Sequence, residues 1–81
     1  MGMTIPTVDM TTTGENILRL RKRAGLSVVD LNKVFGFTNL NAIYKWQNGK
    51  CMPTIDNLII LADLLNVTVD EIIARKTITT I

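Results

Sequence analysis

The stretch that decides the fold is residues 31–49, which read LNKVFGFTNLNAIYKWQNG. Apolar residues recur at helical spacing on both sides of Gly36. They are Leu31, Val34 and Phe35 before the glycine, and Ala42, Ile43 and Trp46 after it. This pattern predicts two short helices that are joined by a tight turn and buried along one side.

Capping residues set the limits of these two helices. Ser27 is a favourable N-cap and Asp30 stands at the N3 position, so the first of the pair is predicted to span Val28–Phe35. Thr38 or Asn39 is expected to cap the second, which continues to about residue 47 and stops at the Asn-Gly pair that follows.

An earlier helix is predicted from Gly14 to Ala24, with Thr13 as its cap and Gly25 as its stop signal. Its expected buried side consists of Ile17, Leu20 and Ala24. Residues 1–12 contain Pro6 and have no helical period, so we expect them to form an extended arm.

Two more helices are predicted after the decisive stretch. Thr54 caps one over residues 55–65, and Thr68 caps a shorter one over residues 69–75. The stripe expected to face inward on the longer helix is Ile55, Leu58, Ile59, Ala62 and Leu65. The residues expected to extend its apolar surface beyond that face are Ile60, Leu61 and Leu64. The β-branched residues 77–81 predict a strand.

Together these elements predict an all-α fold, a compact bundle of five short helices with room for a short β-strand at each end. The chain has 81 residues, which is the length of one domain. The predicted division is an extended arm over 1–12, a helical domain over 13–75 and a strand-like tail over 76–81.

Positive charge is concentrated in the middle of the chain. Residues 19–50 hold seven basic residues against one acidic residue, a local net charge of +6. The segments on either side are each −2, so the overall charge is only +2. This asymmetry favours a polyanionic partner, although charge alone is equally consistent with solvated helix faces.

The chain lacks the residues that several classes of function usually require. The chain has no histidine, and its single cysteine, Cys51, has no companion for a disulfide or a metal site. We therefore expect no metal, no cofactor and no enzymatic activity. No apolar run approaches the roughly 20 residues that would span a membrane, and residues 1–6 do not resemble a secretion signal. A cytoplasmic protein is expected.

The second helix of the decisive stretch should pack inward through Ile43 and Trp46. The residues left pointing away from the core are Asn39, Leu40, Asn41, Tyr44 and Lys45. Apart from the leucine, these residues carry polar groups that suit base edges and phosphates. The pattern therefore predicts a helix-turn-helix whose second helix reads double-stranded DNA.

Short motifs extend this pattern over about residues 14–74. They are Gly14–Ile17, Leu20-Arg21, Gly25–Ser27, Gly36–Thr38, Ala42–Gly49, Pro53–Leu58, Ala62 and Val67–Ile72. In order and spacing they resemble the phage-repressor or Cro-type helix-turn-helix family, also called the xenobiotic response element family. The resemblance implies a lambda-repressor-like fold. It also implies DNA contacts by Thr38 in the turn, and by Asn48 and Lys50 just after the recognition helix.

Four features depart from the family's pattern. Val28 replaces a glutamine that touches a phosphate, so that contact is absent or moved, and Asn32 replaces a small alanine. Residues 36–46 form a segment one residue longer than usual, which predicts a wider turn and shifts the base-contact positions by up to one. Gln47 replaces a glutamate, so the expected partner of Arg21 is a neutral amide.

These observations predict a transcription regulator, specifically a repressor that binds a short operator as a homodimer. The extra apolar residues of the fourth helix and the strand-like tail are the expected dimer surfaces. Two alternatives remain open. One is an antitoxin that uses these surfaces to bind a toxin. The other is a protein-interaction module that has kept the fold and lost DNA binding.

Overall fold

The structure, a computed structural model, describes residues 2–80. Its elements are β1 (Met3–Val8), α1 (Met10–Arg23), α2 (Val28–Phe35), α3 (Asn41–Gln47), α4 (Ile55–Leu65), α5 (Val69–Ile72) and β2 (Arg75–Thr80). Five helices therefore lie between two strands within residues 2–80, which confirms the predicted fold class. Met1 of the predicted arm and Ile81 of the predicted tail lie outside the described residues.

Helix α1 begins at Met10, four residues before the predicted start. Asp9 is its N-cap, since the Asp9 carboxylate accepts hydrogen bonds from the Thr12 amide at 3.0 Å and the Thr12 hydroxyl at 2.9 Å. Both bonds hold the pKa of Asp9 below its ordinary value, and the bond from the amide has the larger effect. The prediction of Thr13 as the cap was wrong. Asp9 caps the helix four residues earlier, and Thr11, Thr12 and Thr13 lie inside its first turns.

Thr13 instead ties α1 to the chain beyond α5. It is buried, and its hydroxyl accepts a hydrogen bond from the Ala74 amide at 2.9 Å. At the other end of α1, Gly25 takes a positive φ of 72° and ends the helix as predicted. Ala24, which was expected in the core, is exposed because it is already the C-cap residue.

Helix α2 has the predicted limits, and the Ser27 cap is confirmed. The Ser27 hydroxyl accepts from the Asp30 amide at 3.0 Å, and the Asp30 carboxylate accepts from the Ser27 amide at 2.8 Å. These bonds also hold the pKa of Asp30 below its ordinary value. The predicted buried side was partly wrong, because Val34 is 54% exposed whereas Val28 is buried. The inward stripe therefore follows Val28, Leu31 and Phe35.

Helix α4 also has the predicted limits but a different buried face. The Thr54 hydroxyl accepts a hydrogen bond from the Asn57 amide at 3.2 Å and caps the helix. Ile55 and Ile59, predicted to face inward, are 77% and 57% exposed, whereas Leu61, predicted to face outward, is fully buried. The observed inward stripe is Leu58, Leu61, Ala62 and Leu65. Apolar residues of α4 occur on most sides of the helix, so their spacing alone does not show which side packs against the core.

Helix α5 ends at Ile72 and not at the predicted Arg75, because the chain becomes extended at residue 73 and enters β2. Strand β2 pairs antiparallel with β1 in a register that joins Val8 to Arg75 and Ile5 to Ile78. A hydrogen bond of 2.9 Å from the Asp9 amide to the Ala74 carbonyl extends this ribbon to the edge of the helical body. Much of the predicted arm over residues 1–12 is therefore strand or helix.

Candidate nucleic-acid interface

The turn between α2 and α3 is held closed by the side chain of Asn32. Its amide group donates to the Phe37 carbonyl at 3.0 Å, and its oxygen accepts from the Phe37 amide at 3.1 Å. Gly36 lies between them with a φ of 70°, a conformation that favours glycine. The family-pattern alanine at position 32 could not make this clamp. Sequence reasoning missed it, although a polar residue at a position that is usually small was the available signal.

Helix α3 begins at Asn41, later than a cap at Thr38 or Asn39 would place it. Leu40 occupies the N-cap position and makes no capping hydrogen bond with its side chain. The Asn39 side-chain oxygen accepts from the Asn41 amide at 2.9 Å, so the residues before the helix form a turn. The predicted start was wrong because Thr38, Asn39 and Leu40 belong to the connection after Gly36.

Three aromatic rings fix α3 against α2. The Phe35 and Phe37 rings stack with centroids 5.4 Å apart, and both meet the Trp46 indole edge-on, at 5.3 Å and 5.7 Å. These are favourable aromatic geometries, and Trp46 is only 4% exposed. Trp46 is therefore a core residue, as predicted, and it orients α3.

Helix α1 supports the other side of α3. A Cβ atom on Gly14 would lie 2.5 Å from the Trp46 carbonyl oxygen and 2.6 Å from that of Gln47, so the two backbones are in direct contact. The Arg21 Nε donates to the Gln47 side-chain oxygen at 2.9 Å, while Arg21 also donates to the Leu26 carbonyl at 2.8 Å. The predicted neutral partner of Arg21 is thereby confirmed.

The side of α3 opposite these contacts presents a row of polar residues. Asn41, Tyr44, Lys45 and Asn48 follow one another at i, i+3, i+4 and i+7, and all four are exposed. We call this row the outer face of α3. Among the other predicted DNA contacts, Thr38, Asn39 and Lys50 are exposed at its two ends, whereas Leu40 is half-buried and packs against the core.

Side chains on this surface differ in whether they already make hydrogen bonds within the protein. The Asn39 oxygen is occupied by the Asn41 amide. The side chains of Asn41, Tyr44 and Lys45 make no hydrogen bond or ion pair with the described residues. Their donors and acceptors are therefore available to a ligand.

Within residues 2–80, most of the basic residues of segment 19–50 have no acidic partner. Within residues 2–80 the ion pair found joins Lys33 to Asp30, with 3.8 Å between nitrogen and oxygen, on exposed side chains. Lys45 and Lys50 are exposed and have no carboxylate within that distance in the same part of the chain. Val28 is buried, so the start of α2 has no polar side chain at the position of the family's phosphate contact.

A helix held across a second helix by a clamped turn, with a polar outer face, defines a helix-turn-helix protein. The family model described as helix-turn-helix matches residues 17–72, which is more than half of the chain. The chain belongs to this family, and the resemblance to phage-repressor and Cro-type proteins is confirmed. No curated protein matches the chain.

Solved structures share this fold. The DNA-binding domain of BldD matches with a TM-score of 0.67 and 24% identity, over 80% of this chain and 93% of its own. The restriction-modification controller protein C.AhdI from Aeromonas hydrophila matches with a TM-score of 0.69 and 23% identity, over 79% of this chain and 96% of its own. The BldD DNA-binding domain of S. venezulae matches with a TM-score of 0.67 and 24% identity, over 80% of this chain and 96% of its own. At these identities the likeness concerns the fold alone. In the described part of the chain, no helix has the length and apolar character needed to cross a membrane.

Proposed function

We propose that this protein is a sequence-specific, double-stranded-DNA-binding transcription regulator that reads the major groove with α3. The observation that carries this proposal is the polar outer face of α3, which has no partner among the described residues and which α1 and α2 contact from behind. An α-helix fits the major groove, whose width is about 12 Å. The seven residues of α3 span about 10 Å, so one such helix contacts a few base pairs.

Asn41 is the best candidate for reading a base. An asparagine recognises adenine by donating from its amide nitrogen and accepting with its amide oxygen at the same time. Asn41 has both groups available on the outer face of α3, at the end of the helix that would enter the groove. Asn39 has its oxygen bonded to the Asn41 amide, so it is less suited to this two-point contact.

Asn41→Ala is expected to weaken binding to the operator by about 1–3 kcal/mol and to leave binding to scrambled DNA nearly unchanged. Operator DNA is first obtained by selecting bound sites from random duplexes. Titration of parent and variant on operator and scrambled duplexes then measures the difference. Asn39→Ala is the matched control, and its effect on the operator should be smaller. If Asn39→Ala is the variant that loses discrimination, the reading position lies in the turn.

Lys50 is proposed to hold a phosphate, because an exposed ammonium offers charge and simple donors without a base-specific pattern. Lys50→Ala should weaken all duplexes alike and reduce the slope of log K against log salt by about one unit. Lys33→Ala is the control, since Lys33 already faces the Asp30 carboxylate. Titrations at several salt concentrations measure both slopes, and an unchanged slope for Lys50→Ala would remove the proposed phosphate contact.

We further propose that the regulator is a repressor and acts as a homodimer on two half-sites. Two copies related by a two-fold axis would place their α3 helices in successive major grooves, about 34 Å apart. A bound dimer would then block access of the polymerase to an overlapping promoter. Transcription in vitro from a template carrying the operator tests the direction of control, because a repressor lowers the amount of transcript and an activator raises it.

A further inference from the structure

The β1–β2 ribbon carries different side chains on its two faces. Residues directly opposite each other in an antiparallel pair point to the same face. The register therefore places Ile5 and Ile78 together on one face, while Thr4 and Thr79 share the other. Ile5 and Ile78 remain 40% and 45% exposed. The ribbon thus has an apolar pair, Ile5 and Ile78, that the described helices leave largely uncovered, and Thr7 and Lys76 follow on the same face.

The two outer edges of this ribbon also differ. The Asp9 amide donates to the Ala74 carbonyl, so these two residues continue the ladder at a hydrogen-bonded position, although the Ala74 amide donates to Thr13. Because such pairs alternate along an antiparallel ladder, Ile5–Ile78 is also a hydrogen-bonded pair and Pro6–Thr77 is not. The backbone nitrogen of Pro6 therefore points outward and offers no donor, which blunts the outer edge of β1.

The outer edge of β2 keeps all its backbone donors. By the same alternation, the amides and carbonyls of Arg75, Thr77 and Thr79 point away from β1. In the described residues the sheet consists of β1 and β2 alone, so no third strand uses this edge. An isolated two-stranded sheet is marginally stable in water, and a third strand with an apolar face stabilises it.

We propose that β2 pairs antiparallel with β2 of a second copy of this chain, giving a four-stranded sheet with both β1 strands outermost. This inference rests on the proposed homodimer and names its surface. In a dimer with a two-fold axis, both subunits contribute the same surface, so the outer edge of β2 would pair with the outer edge of the partner's β2. The Thr77 amide would donate to the carbonyl of the partner subunit's Thr79, and the reciprocal bond would form across the axis.

Charge and hydropathy select the register of this pairing. When Ile78 lies opposite the partner subunit's Ile78, the Ile5–Ile78 pairs of the two ribbons form one continuous apolar row across the sheet. Lys76 and the partner subunit's Lys76 then lie about 14 Å apart along the sheet. A register centred on Lys76 would place two like charges directly opposite each other, which is destabilising. A register centred on Thr77 would set Lys76 against the partner subunit's Ile78.

The first test compares two proline substitutions on opposite edges of the ribbon. Thr77→Pro removes an outward amide from β2 and two hydrogen bonds from the proposed dimer, so the dimer dissociation constant should rise about tenfold to hundredfold. Thr4→Pro removes an outward amide from β1 and should leave the dissociation constant unchanged. Sedimentation over a concentration series measures both, with circular dichroism and binding to scrambled DNA as checks on the fold.

A second test does not depend on proline. Opposed Ile78 residues would occupy a non-hydrogen-bonded pair with Cα atoms about 4.5 Å apart, within the range of a disulfide. Ile78→Cys in a Cys51→Ser background should therefore form a cross-linked dimer under mild oxidation. Ile5→Cys in the same background should not, because the two β1 strands would lie about 14 Å apart across the sheet.

The outcomes separate this inference from the proposed function. A stable dimer that Thr77→Pro does not weaken and Ile78→Cys does not cross-link overturns the β2 interface and leaves the homodimer to another surface, such as α4. A parent chain that remains monomeric at high micromolar concentration overturns both the interface and the homodimer. Dissociation by Thr77→Pro with retained binding to scrambled DNA supports the β2 interface independently of operator recognition.

Discussion

Trp46→Ala is expected to lower the free energy of unfolding by about 3–5 kcal/mol. The indole is 4% exposed and makes edge-on contacts with both Phe35 and Phe37. Its removal leaves a cavity at the junction of α2 and α3, which a small domain cannot easily close. Since natural domains are stable by about 5–15 kcal/mol, this loss is a large part of the total. Urea unfolding followed by circular dichroism measures it, because the variant lacks the chain's one tryptophan.

The matched control for this prediction is Tyr44→Ala. Tyr44 is another aromatic residue of α3, but it is 46% exposed and lies on the outer face. Its replacement should change the free energy of unfolding by less than about 1 kcal/mol. Equal losses for the two variants would mean that α3 is rotated from the orientation described above.

The second large effect is expected at Gly14. At an exposed position inside a helix, alanine in place of glycine stabilises the protein by about 1 kcal/mol. At Gly14 the added Cβ would lie 2.5 Å from one backbone oxygen of α3 and 2.6 Å from another, so α1 and α3 would have to separate. We therefore expect Gly14→Ala to destabilise the protein by about 1–3 kcal/mol, the usual cost of overpacking. The sign of the change distinguishes the two effects.

Glu15→Ala serves as the control for Gly14→Ala, because Glu15 is the next residue of α1 and is exposed. Its effect on the free energy of unfolding should stay within about 0.5 kcal/mol. The same urea titrations give both values. Stabilisation by Gly14→Ala would show that the backbones of α1 and α3 do not touch.

Local signals predicted the limits of α2 and α4, because each cap is a contact between residues close in the sequence. Ser27 and Thr54 both cap as expected, and Gly36 ends α2 in the left-handed conformation. The buried face of α4 was not predictable from spacing, since apolar residues occur around the whole helix. Its choice depends on packing against other elements, which bury Leu61 and expose Ile59.

The outer face of α3 followed from the inward spacing of Ile43 and Trp46, so most of the candidate site was predictable. The different hydrogen bonding of Asn39 and Asn41 was not, because it depends on how the turn after Gly36 folds. Asn32 closes that turn, and in the sequence it stood out only as a departure from the family's pattern. These contacts are as local as the caps, but each depends on the backbone conformation of the turn, which the spacing of apolar residues does not specify.

The pairing of β1 with β2 has a consequence for the order of folding. The bond from the Asp9 amide to the Ala74 carbonyl closes a loop that contains all five described helices. Closing so long a loop costs chain entropy before any contact repays it, so the helices should assemble first and bring the two strands together. The strand amides should then exchange with solvent faster than those of the core helices, through local opening that leaves the helical body intact.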